Sequence, residues 1–185
     1  LISKAIKPFD MQLNSAIKNR WSPRVFTNQA VTEEMIMLLF EAARRAPSSR
    51  NEQPWNYFYV RRENEKTFND LVELLTGNNP FWAKDAQLLI VSVMKKHFDY
   101  KSRPNDKALH DIGAANVSLA IQATEMGLQV HPMGGFDKEK TAKYLKLDTE
   151  NFEPVIMLAV GFPVETEPVS EDTRNRIQQH QTRKK

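Results

Sequence analysis

Ala46-Pro47-Ser48-Ser49-Arg50-Asn51-Glu52-Gln53-Pro54-Trp55 stands between a stretch patterned as a helix and a stretch patterned as a strand. Its two prolines interrupt regular structure, because each lacks a backbone N–H and fixes φ. Between them lie two hydroxyls and two amides, with one arginine and one glutamate. Such a loop is stiff and rich in neutral donors and acceptors, the chemistry that grips the edge of a flat heteroaromatic ring. It holds no activated nucleophile, so any redox chemistry falls to a bound cofactor. Pro/Ser/Asn clusters also make plain connecting loops, and these residues alone leave both readings open.

Upstream, Thr32 is a good N-cap for a helix with Glu33 and Glu34 in its first turn. Met35, Leu38, Leu39, Ala42, Ala43 and Ala46 recur at helical spacing as its expected core face, and Pro47 ends it. Before it, Asp10 is expected to cap a first helix carrying Leu13, Ala16 and Ile17. That helix runs into Arg20-Trp21-Ser22-Pro23-Arg24-Val25-Phe26. Two arginines and a serine around a proline suit a phosphate, because guanidinium forks match its oxygens and a hydroxyl adds a neutral donor. A solvated turn with surface arginines is the alternative.

Downstream, Asn56-Tyr57-Phe58-Tyr59-Val60 reads as a strand, and Trp55 either stacks on a ligand or fills the core. Asn64 opens a third helix through Phe68, Leu71, Val72 and Leu75, broken at Gly77-Asn78-Asn79-Pro80. Residues 86–94 form a nearly continuous apolar strand, expected to be central and covered on both faces. Residues 95–105 are charged and irregular, and read as mobile. Residues 107–126 make a long helix ended by Gly127. Its apolar face is Ile112, Ala115, Leu119, Ala123 and Met126, and Asn116 beside it either bonds across an interface or faces water. An apolar helix this long points to a subunit interface. In Gln129-Val130-His131-Pro132-Met133-Gly134-Gly135-Phe136-Asp137 the glycines permit φ > 0 and close approach of a ligand to the backbone. Asp137 caps a short helix, and residues 154–160 form the last central strand before Gly161-Phe162-Pro163. From Val164 on, no core pattern remains. Arg174 and Arg176 there offer a second grip on a phosphate.

The chain has 185 residues, 41% hydrophobic and 26% charged, with no cysteine and a net charge of +3. That is one domain's worth of core. No apolar run is long enough to span a membrane, and the first residues are too short for a signal h-region. Without cysteine there is no disulfide, thiolate nucleophile or thiolate metal site, which suits a cytoplasmic setting. The short basic end, Thr182-Arg183-Lys184-Lys185, is read as solvated, with no nucleic-acid stripe. His97, His110, His131 and His180 lack metal-ligand spacing, and no G-x-S-x-G, P-loop or G-x-G-x-x-G is present.

In order and spacing, these motifs resemble the FMN-dependent nitroreductase family from about residue 14 to 176, the Pro-Ser-Ser-x-Asn-x-Gln-Pro-Trp run being the specific part. The resemblance implies an α+β fold, with a mixed, largely antiparallel sheet wrapped by helices in an intertwined homodimer. It implies one FMN-binding domain over residues 1–165 and an arm over 166–185 that wraps the partner. Arg20, Trp21, Ser22 and Arg24 would meet FMN, the arginines and serine at its phosphate, ribityl chain or pyrimidine edge. Pro47, Ser48, Ser49 and Asn51 would meet it from the other subunit. Asn78 would lie near the ring, Gly134 and Gly135 would turn N–H groups toward it, and Arg174 or Arg176 would close on the phosphate. The implied activity is ping-pong hydride transfer from NAD(P)H through FMN to nitroaromatics, quinones or similar flat acceptors. The alternative keeps fold and cofactor for a dedicated reaction: dehalogenation, flavin breakdown or oxidation of one metabolite. The chain departs from the pattern at Trp21, where relatives carry a basic or small polar residue, and at Gly134, where some carry glutamate. It is also short around residues 95–108.

Overall fold

A computed structural model describes residues 12–164. The expected arm over 166–185, with Arg174 and Arg176, lies outside the described residues, as does Asp10. The helices are α1 (Ser15–Asn19), α2 (Glu33–Arg44), α3 (Glu65–Glu73), α4 (Asn79–Ala83), α5 (Ala108–Glu125) and α6 (Lys138–Tyr144). The strands are β1 (Trp55–Arg61), β2 (Leu88–Lys95), β3 (Gln129–Met133) and β4 (Phe152–Gly161). They form one sheet in the order β1-β2-β4-β3. All three pairings are antiparallel, in keeping with the largely antiparallel α+β expectation. Among the described residues no helix is long and apolar enough to cross a membrane.

The apolar run at residues 88–93 has a direct explanation. Side chains alternate across a strand, and both faces of β2 are covered. Leu88 and Ile90 pack with Ile36, Leu39 and Ala43 of α2 and with Ala115, Leu119 and Ala123 of α5. Leu89, Val91 and Val93 pack on the opposite face with Phe68, Leu71 and Val72 of α3. β4 repeats the division, with Leu158 and Val160 on the α2/α5 side and Met157 and Ala159 on the other. Pro154 sits in this central strand because the β2–β4 register shifts between Ser92 and Val93. A bulge is where the sheet tolerates a residue with no N–H.

Several details differ from the sequence reading. α1 is capped by Asn14, whose Oδ1 accepts from Ala16 N at 3.0 Å and Ile17 N at 3.3 Å. Leu13 and Ile17 are exposed and only Ala16 is buried. In α2, Thr32 caps as expected, but the buried face is Ile36, Leu39 and Ala43, while Leu38 is 51% exposed. Residues 35–40 are apolar all round, so periodicity there fixes no unique face. The breaker at 77–80 starts α4 instead, with Pro80 in its first turn, where its missing N–H has no intrahelical partner to lose. The 95–105 segment is irregular but folded back on itself. His97 bridges Pro104, Phe98 N–H donates to Arg103 O at 2.8 Å, and Phe98 is buried. Asn116, partly buried, bonds within the chain. Its Oδ1 accepts from Tyr57 O–H at 2.9 Å and its Nδ2 donates to the buried Ser92 Oγ at 3.1 Å. Burial pushes the Tyr57 phenol well above its ordinary range.

Gly161 ends β4 against Phe26, and a Cβ there would lie 2.9 Å from the Phe26 ring. Gly161→Ala should therefore cost about 1–3 kcal/mol through overpacking, read by urea denaturation, and Gly161→Ala with Phe26→Leu should recover part of the loss. Equal stability of Gly161→Ala and the parent would reject the contact. At the end of α2, hydrogen bonds from Arg44 and then Arg45 lower the Glu41 carboxyl from 4.5 to about 2. Because the folded value is the lower one, this stabilisation is complete above about 4.5 and is lost as pH falls through about 2. An NMR titration of the Glu41 carboxyl carbon checks it, and a midpoint near 4.5 would contradict it.

Candidate functional site

The arginine loop at residues 20–24 is held by one face of β3. Gln129 and His131 are alternate residues of that strand and so share a face. The buried Gln129 amide accepts from Trp21 N–H at 3.0 Å and donates to Asn19 O at 3.2 Å. His131 Nδ1 lies 2.8 Å from Pro23 O. A carbonyl only accepts, so Nδ1 carries the proton. Backbone positions 19, 21 and 23 are thereby fixed to the sheet. Trp21 and Pro23 turn inward and are buried, whereas Arg20 and Ser22 are partly exposed and Arg24 is exposed. Arg20 Nη1 donates to Ser22 Oγ at 3.4 Å. Trp21, 8% exposed, anchors the loop.

Helix α4 and the double-glycine turn flank this loop. Trp82 packs against His131 with ring centroids 4.4 Å apart and planes tilted by 38°, and the Arg24 guanidinium lies 5.9 Å from the Trp82 ring centroid, within cation–π range. The Trp82 indole N–H is buried without a hydrogen-bond partner. Gly135 O accepts from Thr76 N–H at 2.9 Å and from Asn79 Nδ2 at 3.0 Å. Asn79 thus ties α4 to the turn, while Asn78 is exposed at the helix start with no capping bond from its side chain. Neither Gly134 nor Gly135 uses the positive φ that glycine permits; Gly77 and Gly127 do. Gly135 instead answers to space, since a Cβ would lie 2.8 Å from Asn79 Nδ2. At Gly134 a Cβ would meet nothing within 4 Å, so this backbone is open to approach.

The Pro-Ser-Ser loop is built differently. Pro47 and Asn51 are exposed, and Ser48 and Ser49 are half-buried. Ser49 N–H donates to Asp111 Oδ2 at 2.8 Å, and Gln53 N–H donates to Ser48 Oγ at 3.0 Å. Arg50, Asn51 and Gln53 have φ of 56°, 57° and 51°, a left-handed conformation uncommon for residues with side chains. The Glu52 carboxylate accepts Asp99 N–H at 2.5 Å and lies 3.8 Å from Lys95 Nζ. Trp55 at the loop's end packs partly buried against the α2/α5 core.

One chain does not bring the two loops together. The Pro-Ser-Ser loop leads into β1 at one sheet edge, and the arginine loop lies on β3 at the other. Three inter-strand spacings separate those edges, about 14 Å. Helix α5 gives the same answer along its length. Asp111 in its first turn holds Ser49, and Thr124 Oγ1 near its end lies 3.4 Å from the Gln129 amide that holds Trp21. Thirteen residues of helix between them span about 20 Å. Arg20, Ser22 and Arg24 therefore lie on the β3 side of the sheet, the strand that runs on into Gly134 and Gly135, while Ser48, Ser49 and Asn51 lie on the β1 side. Sequence reading missed Gln129, Asp111, Asn79 and Trp82. A lone amide between Leu128 and Val130 was a usable signal for Gln129. Asp111 looks like any acidic residue in a first helical turn.

The sequence model of the nitroreductase family matches residues 17–162. YdgI of Bacillus subtilis, provisionally designated an NAD(P)H nitroreductase, is 26% identical, covering 71% of this chain and 78% of its own. Protein DrgA of Synechocystis is 27% identical, covering 85% of this chain and 87% of its own. A crystal structure described as an oxidoreductase containing FMN matches with a TM-score of 0.81 at 30% identity, covering 91% of this chain and 85% of that one. With its motifs in order, its sheet covered on both faces and the family's pattern running through most of its length, this chain belongs to the nitroreductase family.

Proposed function

We propose that the protein is an FMN-dependent oxidoreductase that passes hydride from NAD(P)H to nitroaromatics, quinones or similar flat acceptors. The observation that supports the proposal is the separation of two complementary polar loops onto opposite sheet edges; in this reading each is half of one site. A site of this kind closes when a second copy presents its Pro-Ser-Ser loop to the first copy's arginine loop, as an isologous dimer does twice. The domain over residues 1–165 would supply both loops, and the arm over 166–185 would wrap the partner, with Arg174 or Arg176 adding a phosphate contact.

The residues fit the cofactor. The 20–24 loop carries two arginines and no carboxylate, and its anchoring leaves Arg24 exposed. Arg20 and Arg24 would neutralise the FMN phosphate, and the Ser22 hydroxyl would add a neutral donor. Ser48, Ser49 and Asn51 would hydrogen-bond the polar edge of the ring system, and the open Gly134 backbone would admit it closely. FMN, when bound, supplies reversible hydride acceptance, so the chain's task is binding, orientation and electrostatics. NAD(P)H and acceptor would occupy the same place in turn, giving ping-pong kinetics.

Arg24→Ala should lower bound FMN, read from the visible spectrum of the purified protein, while leaving the melting temperature of flavin-free protein nearly unchanged; full flavin content would remove Arg24 from the site. Complementation tests the shared site directly. Arg24→Ala and Asn51→Ala homodimers should each bind FMN weakly. After unfolding and refolding as an equal mixture, about half the dimers are hybrids with one intact site of two, restoring about a quarter of wild-type binding by symmetry. No restoration would show that each chain builds its site alone.

A further inference from the structure

We propose that Asp111 is a positioning residue that holds the Pro-Ser-Ser loop in its binding shape. The inference rests on the reading that Ser48, Ser49 and Asn51 hold FMN, and it concerns how an improbable backbone persists there. Three of the four residues from 50 to 53 have positive φ, and none of them is glycine. Each such residue costs free energy unless its surroundings hold it in place. The loop's internal bonds are few: Gln53 N–H to Ser48 Oγ, Gln53 Nε2 to Asn51 O at 3.3 Å, and a short 3₁₀ turn at Ser49–Asn51. At its leading end the external restraint is one charge-assisted bond, Ser49 N–H to Asp111 Oδ2 at 2.8 Å.

Asp111 is suited to that work. It is 3% exposed and lies on α5, whose neighbouring Ile112 and Ala115 have no exposed surface. Its other oxygen, Oδ1, lies 3.0 Å from His110 Nδ1. A carboxylate accepting a backbone N–H makes a shorter and stronger bond than a neutral acceptor does. The helix N-terminus also favours negative charge in its first turn. A rigid helix thus sets where Ser49 begins its turn, and the three left-handed residues follow from that fixed start.

The experiment uses the full chain and two readouts: FMN affinity by fluorescence quenching, and hydrogen exchange of the Ser49 amide in flavin-free protein. Asp111→Ala should speed Ser49 exchange selectively and raise the FMN dissociation constant about tenfold, as expected if the freed loop holds its binding shape about a tenth of the time. Asp111→Asn keeps an acceptor oxygen and should stay within about threefold of wild type. If Asp111→Ala does not fold, Ser49→Pro compared with Ser49→Ala isolates the same bond. Ser48 already has the extended backbone that proline requires of its predecessor. Ser49→Pro should bind FMN about tenfold more weakly than Ser49→Ala. Unchanged exchange and affinity in Asp111→Ala, or equal affinity of Ser49→Pro and Ser49→Ala, would overturn the proposal. Wild-type protein that takes up no FMN, yet whose Ser49 protection depends on Asp111, would overturn the functional reading and leave the positioning role standing.

Discussion

The packing of α5 on the sheet is the constraint from which the rest of the structure follows. Ile112, Ala115, Leu119 and Ala123 have no exposed surface, and the last three join Leu88, Ile90, Leu158 and Val160 in one core. A helix seated this way cannot shift by a fraction of a turn without opening voids, because protein interiors are close-packed. Its two ends therefore become fixed points. Asp111 at one end and Thr124 at the other each stand beside a polar loop. The distance between the loops is set by the length of the helix rather than by the loops themselves.

Such a scaffold explains why so much polarity sits in so dry an interior. Gln129, Ser92 and Asp111 are buried, and each has a specific partner. Burying an amide or carboxylate is unfavourable unless its bonds are made. Here each bond also does positional work: Gln129 sets the arginine loop, and Asn116 with Ser92 and Tyr57 joins α5 to β2 and β1. An apolar core alone would favour compactness but would specify loop positions less sharply.

Much of this was legible in the sequence. The strand at residues 86–94 announced a doubly covered centre by its composition, and the stripe Ile112, Ala115, Leu119 and Ala123 announced the buried face of α5 by its period. Thr32, Asp137 and Gly127 marked ends that the structure keeps. What failed had physical causes. In α2 six consecutive apolar residues carried no phase information, so Leu38 was placed inward and is exposed. At 77–80 proline was taken as a stop when its position suited a start. At the site, the arginines and serines were visible because their chemistry suits an anion or a ring edge. Gln129 and Asp111 were not, because they contact backbone from far away in sequence, and no local pattern encodes such a partner.

The Pro-Ser-Ser loop shows why the most recognisable stretch of the chain is also its least regular. Local sequence, backbone preference and packing agree across the sheet and its helices, as a well-specified fold requires. They disagree from Arg50 to Gln53, where side-chain-bearing residues take a left-handed backbone. Glycine at those positions would remove the strain but would also multiply the shapes open to the loop. Residues with side chains, clamped at Ser49 by Asp111 and at Glu52 by Asp99 N–H, give one shape with Asn51 held outward. A ligand meeting that surface loses less free energy to ordering than it would on a free loop. Strain confined to a few residues, and held by a rigid helix, is consistent with a loop shaped for binding rather than for connection.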